Sequence, residues 1–520
     1  MKKRYFLPLL AALLLFSLLT PVFAEETDTT CTTEPTESGI TAEARLEAAL
    51  IAACRYGETL DITEYDITVE ELDVIFHRLY DEGQFPWYVT NTFQYEYREW
   101  GDRLHALRFI PTLLEAGYDR LAYEQAVQEL LQSCNTEGLK DWQKALVLHD
   151  ALILRCRYDT TLQKNTGYDL LLNGTTVCAG YAALYQDLLQ RVGIPSVVVT
   201  SEAMKHAWNL VQLEGNWYHV DVTWDDPTAD REGRVRHDHF LRTDREIGSG
   251  EKPHYEWNNA HITCTDESYS DGFWLKADTQ IIFTDKNTCY YGSTTENLVS
   301  IFRRTVSKDT EKRIYEEADN FLDIGEGRRR YYHTGLFLRD NRLWLCTMEK
   351  VLSIKTDGKS KKTEFTYSVK ENNKYIGGFR LTETGLLLQL NDLTDTVSYQ
   401  EEALWTPPHT HSYTLTQQPP TCAAEGYTLA VCDCGIRATA EFVKPQDHSW
   451  EDWGSKKATF KEDGYVDRIC TVCGYEEQFV QPRLETGSWL RTHWYAPVLA
   501  LLGLALVINL IALLTSFKRK

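Results

Sequence analysis

Positive charge is in short supply. The 520-residue chain carries 54 Lys and Arg against 76 Asp and Glu, a net charge of −22. Binding nucleic acid requires a basic surface to neutralise phosphates, so that partner class is excluded. The acid excess reads as solubility. No EF-hand-type calcium loop is present. No cysteine follows the small-residue end of the N-terminal apolar run, which excludes a lipoprotein signal. Aromatic and apolar residues are plentiful. With 29 Tyr, 14 Trp and 43% hydrophobic residues, this is an ordered globular chain. One core rarely grows past about 250–300 residues, so about two to four folded units are expected.

The ends point to a compartment. Lys2, Lys3 and Arg4 precede an apolar run from Tyr5 to Leu19 and then Ala24, the pattern of a secretory signal over residues 1–24. Residues 496–516 are apolar apart from Asn509, Thr515 and Ser516, and match the roughly 20 residues of a spanning helix. Trp489, Trp494 and Tyr495 precede that run, and Lys518, Arg519 and Lys520 follow it. The positive-inside rule then keeps residues 517–520 in the cytoplasm and the body of the chain outside. Leu484-Glu485-Thr486-Gly487 loosely resembles a sortase sorting signal, but the usual proline is missing. A plain membrane anchor is the expectation, with 483–495 as the juxtamembrane segment.

Between the ends, residues 25–40 read as a polar spacer. Residues 41–138 read as a helical lead-in, with Leu46, Leu50 and Ile51, then Leu72, Ile75, Phe76 and Leu79, at helical spacing. Asp66 or Thr68, followed by Glu70 and Glu71, would cap the second helix. Residues 275–405 hold short alternating or β-branched runs separated by Gly, Asn and Asp, the mark of antiparallel strands in a sandwich or a small propeller-like array.

Residues 406–482 contain two small repeats. His411-Ser412-Tyr413 matches His448-Ser449-Trp450, and Cys432…Cys434-Gly435 matches Cys470…Cys473-Gly474, while Cys422 meets Phe460. Zinc is one expectation for His411, Cys422, Cys432, Cys434, His448, Cys470 and Cys473, because thiolate and imidazole suit it. A disulfide is the other. A complete site wants four ligands, and the second copy supplies three of its own. The chain has 13 Cys, so at least one thiol stays unpaired.

The chemistry concentrates between residues 139 and 230. Tyr181, Leu184, Tyr185, Leu188 and Val192 share one helical face, with Thr175 or Thr176 as the expected cap and Gly193 and Pro195 as the stop. Cys178 then lies in the first turn, where the helix dipole favours a thiolate. A buried strand over 194–200 precedes a hairpin of 206–213 and 216–224, turned at Glu214-Gly215. A two-residue turn pairs Leu213 with Asn216, His206 with Thr223 and Trp208 with Asp221. His206 and Asp221 then sit on one face as diagonal neighbours, and a three-residue turn would separate them. A thiol nucleophile, an imidazole base and an orienting carboxylate form the set that acyl transfer requires. His219, on the same face, reads as structural.

Val177-Cys178-Ala179-Gly180-Tyr181, His206-Ala207-Trp208-Asn209 and Asp221-Val222-Thr223-Trp224-Asp225-Asp226-Pro227 resemble the three motif blocks of the transglutaminase-like superfamily, and Lys144–Leu154 with Tyr158-Asp159 resembles its leading segment. The resemblance implies an α+β, papain-like core over 139–274, with Cys178 as nucleophile, His206 as base and Asp221 as its orienting partner. It is followed by a β-rich second domain, the two Cys-containing repeats and one C-terminal transmembrane helix. The implied function, in a bacterial surface-anchored setting, is cysteine-dependent acyl transfer on a protein or peptide through a thioester, by amide hydrolysis or transamidation, with no cofactor required. The alternative is a surface binding or adhesion protein that uses the papain-like domain as a scaffold.

Overall fold

A computed structural model describes residues 41–483, except 115–116, 228–229, 296–297, 319–320, 324–328, 332–333, 370–372, 393, 395 and 408. The export signal, most of the spacer and the anchor expected from the sequence lie outside the described residues. Among the described residues no helix is long and apolar enough to cross a membrane. The described chain forms two compact units, 41–418 with 427–442, and 419–426 with 443–483.

The lead-in departs from its helical expectation. Three helices are present, Ala42–Tyr56, Val69–Asp81 and Arg120–Cys134. Thr68, not Asp66, caps the second: its Oγ1 accepts from Glu71 N at 3.2 Å, and Glu71 Oε2 accepts from Thr68 N at 3.0 Å. Between the second and third helices runs a long antiparallel hairpin, Val89–Trp100 with Arg103–Leu113. Its cause is local. Phe93, Tyr95 and Tyr97 alternate at period two, which suits a strand, and Gly101 at φ 67° makes the turn. Leu50, Leu72, Phe76 and Phe109 bury their side chains together in this lead-in.

The next segment builds the site. A four-stranded antiparallel sheet runs in the order Ser196–Ser201, His206–Leu213, Asn216–Val220, Phe240–Arg242. The helix Cys178–Arg191 packs beside it, and its Tyr181, Leu184, Tyr185 and Leu188 are fully buried in the apolar cluster that also holds Val211 and Val220 of the sheet. Burying a leucine in this way stabilises by about 1.5–3 kcal/mol. Asn209 Nδ2 on the second strand donates to Ala182 O of the helix at 3.0 Å. Gln186 Nε2 donates to Ser196 O at 3.1 Å and to Asp81 O at 2.7 Å, so the helix also holds the lead-in. It ends at Arg191, followed by Gly193 at φ 82°.

Residues 275–405 are β-rich. Antiparallel meanders follow one another, with four strands within 282–318, four within 336–366 and three within 374–403. The residues on either side of position 274 share one apolar cluster: Ile281, Cys289 and Tyr291 are buried with Leu152, Leu184 and Phe240. Further along, three strands, Tyr413–Gln418, Gly426–Cys432 and Arg437–Val443, form one small antiparallel sheet. Another three, Trp450–Lys456, Gly464–Cys470 and Glu476–Gln481, form a second.

Candidate active site

Cys178 is the first residue of its helix, half-buried. The expected threonine cap is absent. Thr175–Thr176 instead pair in parallel with Arg157–Tyr158, and Thr176 Oγ1 turns inward to the carbonyls of Lys164 and Thr166, at 3.3 and 3.2 Å. The N-cap position falls to Val177, which makes no side-chain cap bond. No N-cap side-chain oxygen therefore competes for the first-turn N–H groups, whose dipoles favour a thiolate or an oxyanion at the helix tip, although Gly180 N donates to Val177 O at 3.0 Å.

The hairpin register matches the sequence expectation along the strand. Leu213 pairs with Asn216 and Asn209 with Val220. Glu214 (φ 52°) and Gly215 (φ 87°) both take left-handed backbone, as a two-residue type I′ turn demands. The expected pairing of His206 with Thr223 does not form. The strand stops at Val220 because Asp221 turns the chain into a short helix, Val222–Asp225, and caps it through Oδ1, which accepts from Trp224 N at 3.1 Å. That turn brings the other carboxylate oxygen to the imidazole: His206 Nε2 lies 2.7 Å from Asp221 Oδ2. With Nε2 engaged, Nδ1 is the nitrogen that remains to face the sulfur.

The electrostatics follow from this line of groups. Burial resists ionisation of Cys178, but the hydrogen bond and charge of His206, with a bond from the Ala207 backbone N–H, outweigh it and hold the thiol below its usual range. Burial likewise disfavours the His206 cation, but Asp221's charge and hydrogen bond, with Cys178, raise that imidazole to about 10. Burial opposes ionisation of Asp221 too, and His206 and His254 overcome it, so this fully buried carboxylate stays ionised well below the usual range. Both shifts favour the thiolate and imidazolium forms of the pair, beside an ionised carboxylate.

Further residues support this line, and His237, His239 and His254 among them belong to none of the motif blocks. His254 Nε2 lies 2.8 Å from the same Asp221 oxygen that meets His206. Burial outweighs the pull of Asp221 and keeps His254 below its usual range, so it acts as a neutral N–H donor. Trp224 lies against both imidazoles, 5.2 Å from the His206 ring and 4.1 Å from the His254 ring. Behind them, buried Asp225 meets His149 Nε2 at 3.3 Å and His239 Nδ1 at 3.0 Å. Asp150 meets His149 Nδ1 at 2.9 Å and His237 Nε2 at 3.0 Å. Burial disfavours a charged His149, but the two carboxylates raise it to about 9, so a cation bridges them. This network fixes the short helix on which Asp221 sits. His237, His239 and His254 fall within 228–274, a stretch rich in His and Trp.

His219 is structural, as expected. Fully buried, it accepts from Trp208 Nε1 through Nδ1 at 2.9 Å and holds Asp244 through Nε2 at 2.9 Å. Tyr181 donates to Asp226, tying the first motif block to the third.

The zinc candidates of the repeats sort into two groups. His411, Cys432 and Cys434 converge with His409, which sequence reading omitted. His448, Cys470 and Cys473 converge with Cys422, a residue carried by the first copy.

Residues 124–222 match the core domain described as the transglutaminase-like superfamily. A kyphoscoliosis peptidase of Mus musculus is 25% identical over 131 residues, which are 21% of this chain and 20% of that protein. The Homo sapiens kyphoscoliosis peptidase is 34% identical over 70 residues, 11% of each chain. This chain thus spans a fifth or less of the curated relatives it matches. Among solved structures, a crystal structure of a TGase shares 13% identity over 36% of this chain and 58% of that one, with a TM-score of 0.21. The three motif blocks and the matched residues 124–222 show that this chain contains a transglutaminase-like core.

Proposed function

We propose that this chain is an extracellular, membrane-anchored thiol enzyme that transfers acyl groups of proteins or peptides through a Cys178 thioester. The observation that carries the proposal is the Cys178–His206–Asp221 line, in which the thiol is held below its usual range and the imidazole above its own. The Cys178 sulfur attacks an amide carbon, and the carbonyl electrons move onto oxygen beside the first-turn N–H groups. As the carbonyl re-forms, the C–N bond breaks and His206 gives its proton to the departing amine. In the second half His206 takes a proton from the incoming nucleophile, which attacks the thioester and releases the sulfur. Water as nucleophile gives hydrolysis, and a lysine amine gives transamidation. Asp221 keeps the imidazole oriented and its cation stabilised throughout. The extracellular, tethered setting rests on the N-terminal signal pattern and on the apolar run 496–516 with its basic tail.

The test is iodoacetamide labelling of the full chain between pH 4 and 9, with modified sites mapped by mass spectrometry, against His206→Ala. Selective labelling of Cys178 below neutral pH, lost in the variant, supports the enzyme. Labelling of Cys178 no faster than an ordinary thiol in both proteins overturns it and leaves the domain as a binding scaffold. A screen of amide donors with water or amines as acceptors then separates hydrolysis from transamidation.

A further inference from the structure

The two His/Cys groups of the C-terminal repeats each present four ligand atoms that lie within 4.8 Å of one another. In the first group His409 Nε2 is 3.0 Å from Cys432 Sγ. His411 Nδ1 is 3.5 Å from Cys432 Sγ and 3.4 Å from Cys434 Sγ. In the second group Cys422 Sγ is 3.7 Å from Cys470 Sγ, and His448 Nδ1 is 3.3 Å from Cys473 Sγ.

These distances have the form of tetrahedral edges. A zinc ion about 2.3 Å from sulfur and about 2.0–2.1 Å from nitrogen makes S···S edges of about 3.8 Å and S···N edges of about 3.5 Å. The structure has S···S at 3.7 Å and S···N between 3.0 and 3.5 Å. A disulfide needs its sulfurs at about 2.0 Å and gives an adjacent imidazole nothing to bind. Here a histidine nitrogen faces the sulfurs in both groups.

The repeat logic supports the same reading. Each copy supplies one His and two Cys at matching positions: His411, Cys432 and Cys434, then His448, Cys470 and Cys473. Three ligands leave a site one short. The first group gains His409, at a position where the second copy has Gln446. The second gains Cys422, at a position where its own copy has Phe460. The two residues that break the repeat pattern are the two that complete the sites.

The smaller unit buries almost no apolar side chain. Among its described residues, those buried are Cys422, Gly426, Gly464 and Cys470. A unit of this size without an apolar core needs a metal or a covalent staple.

We propose that the chain binds two structural zinc ions, one held by His409, His411, Cys432 and Cys434 and the other by Cys422, His448, Cys470 and Cys473. Each thiol gives up its proton on binding. With four protein ligands each, both are closed sites.

The test is elemental analysis of the full chain, purified without chelator under reducing conditions. Two zinc ions per chain are expected. Cys434→Ser and Cys473→Ser, both at exposed positions, should each lower the count to one, and the double variant to zero. Cys178→Ser should leave two. Reconstitution of the stripped wild-type chain with cobalt(II) should give the intense visible bands and thiolate charge-transfer absorption of tetrahedral cobalt. Zinc below half an ion per chain after incubation with zinc chloride overturns the proposal. So does a Cys422–Cys470 disulfide mapped in the native chain, or a zinc content that the double variant leaves unchanged.

Discussion

Asp221 accepts from Trp224 N through one oxygen and meets His206 and His254 through the other. Its charge is thus spread over three donors, and its proton affinity, depressed by the two imidazoles, sets that of His206. Acyl transfer should rise as pH climbs through the lowered Cys178 value and decline as pH passes about 10, where His206 loses its proton. His254→Ala removes one donor, so the carboxylate holds the His206 proton more tightly. The alkaline limb of the pH–rate profile should then move up. A limb that stays in place would reduce His254 to a packing residue. The same groups couple folding to pH. Asp221 is more acidic folded than unfolded, so its contribution is complete above the ordinary carboxylate range and is lost as pH falls through the folded value. His206 is less acidic folded, so its contribution is complete below the ordinary imidazole range and is lost as pH rises towards about 10.

The Cys178 helix begins with almost no clearance. A Cβ on Gly180 would meet Thr176 Oγ1 at 2.0 Å and Thr166 O at 2.6 Å, and the second of these is backbone. Gly180→Ala must therefore push the helix tip away from the strand Thr175–Thr176, at a cost of about 1–3 kcal/mol. The expected result is a lower midpoint in urea denaturation together with slower Cys178 labelling, and unchanged values in both assays would refute this account. The same two elements show where local sequence carries structure. The apolar face of the helix and the Glu214-Gly215 turn are short-range signals, so the positions of Cys178, His206 and Asp221 were legible. The cap was not, because Thr176 Oγ1 is taken by carbonyls ten and twelve residues earlier. The hairpin of residues 89–113 follows a stretch whose helical spacing, at residues 46–79, does not continue into it. His254, 33 residues beyond its partner Asp221, and Cys422, 48 residues before Cys470, have no local pattern to betray them.

Across the whole molecule, the β-rich stretch helps hold the site. Ile281 N donates to Asp150 Oδ2 at 2.7 Å. Asp150 holds His149, which holds Asp225, and Asp225 lies in the short helix that Asp221 caps. Ile281, Cys289 and Tyr291 also fill the apolar cluster beneath the Cys178 helix. A chain ended at residue 274 should therefore express poorly or show a broad, early thermal transition, and its Cys178 should label like an ordinary thiol. A cooperative transition with wild-type labelling would show the β-rich stretch to be dispensable.

That chain of contacts bears on how such a protein can be inherited. The match to the transglutaminase-like core domain ends at residue 222. The residues that brace the carboxylate run on through Asp225, His239 and His254 to Ile281. A gene fusion or exchange cut where that match ends would pass on Cys178, His206 and Asp221 without their brace. The heritable unit is therefore longer than the recognisable one, and substitutions at residues 225–281 should track changes in the β-rich stretch rather than changes in the motifs.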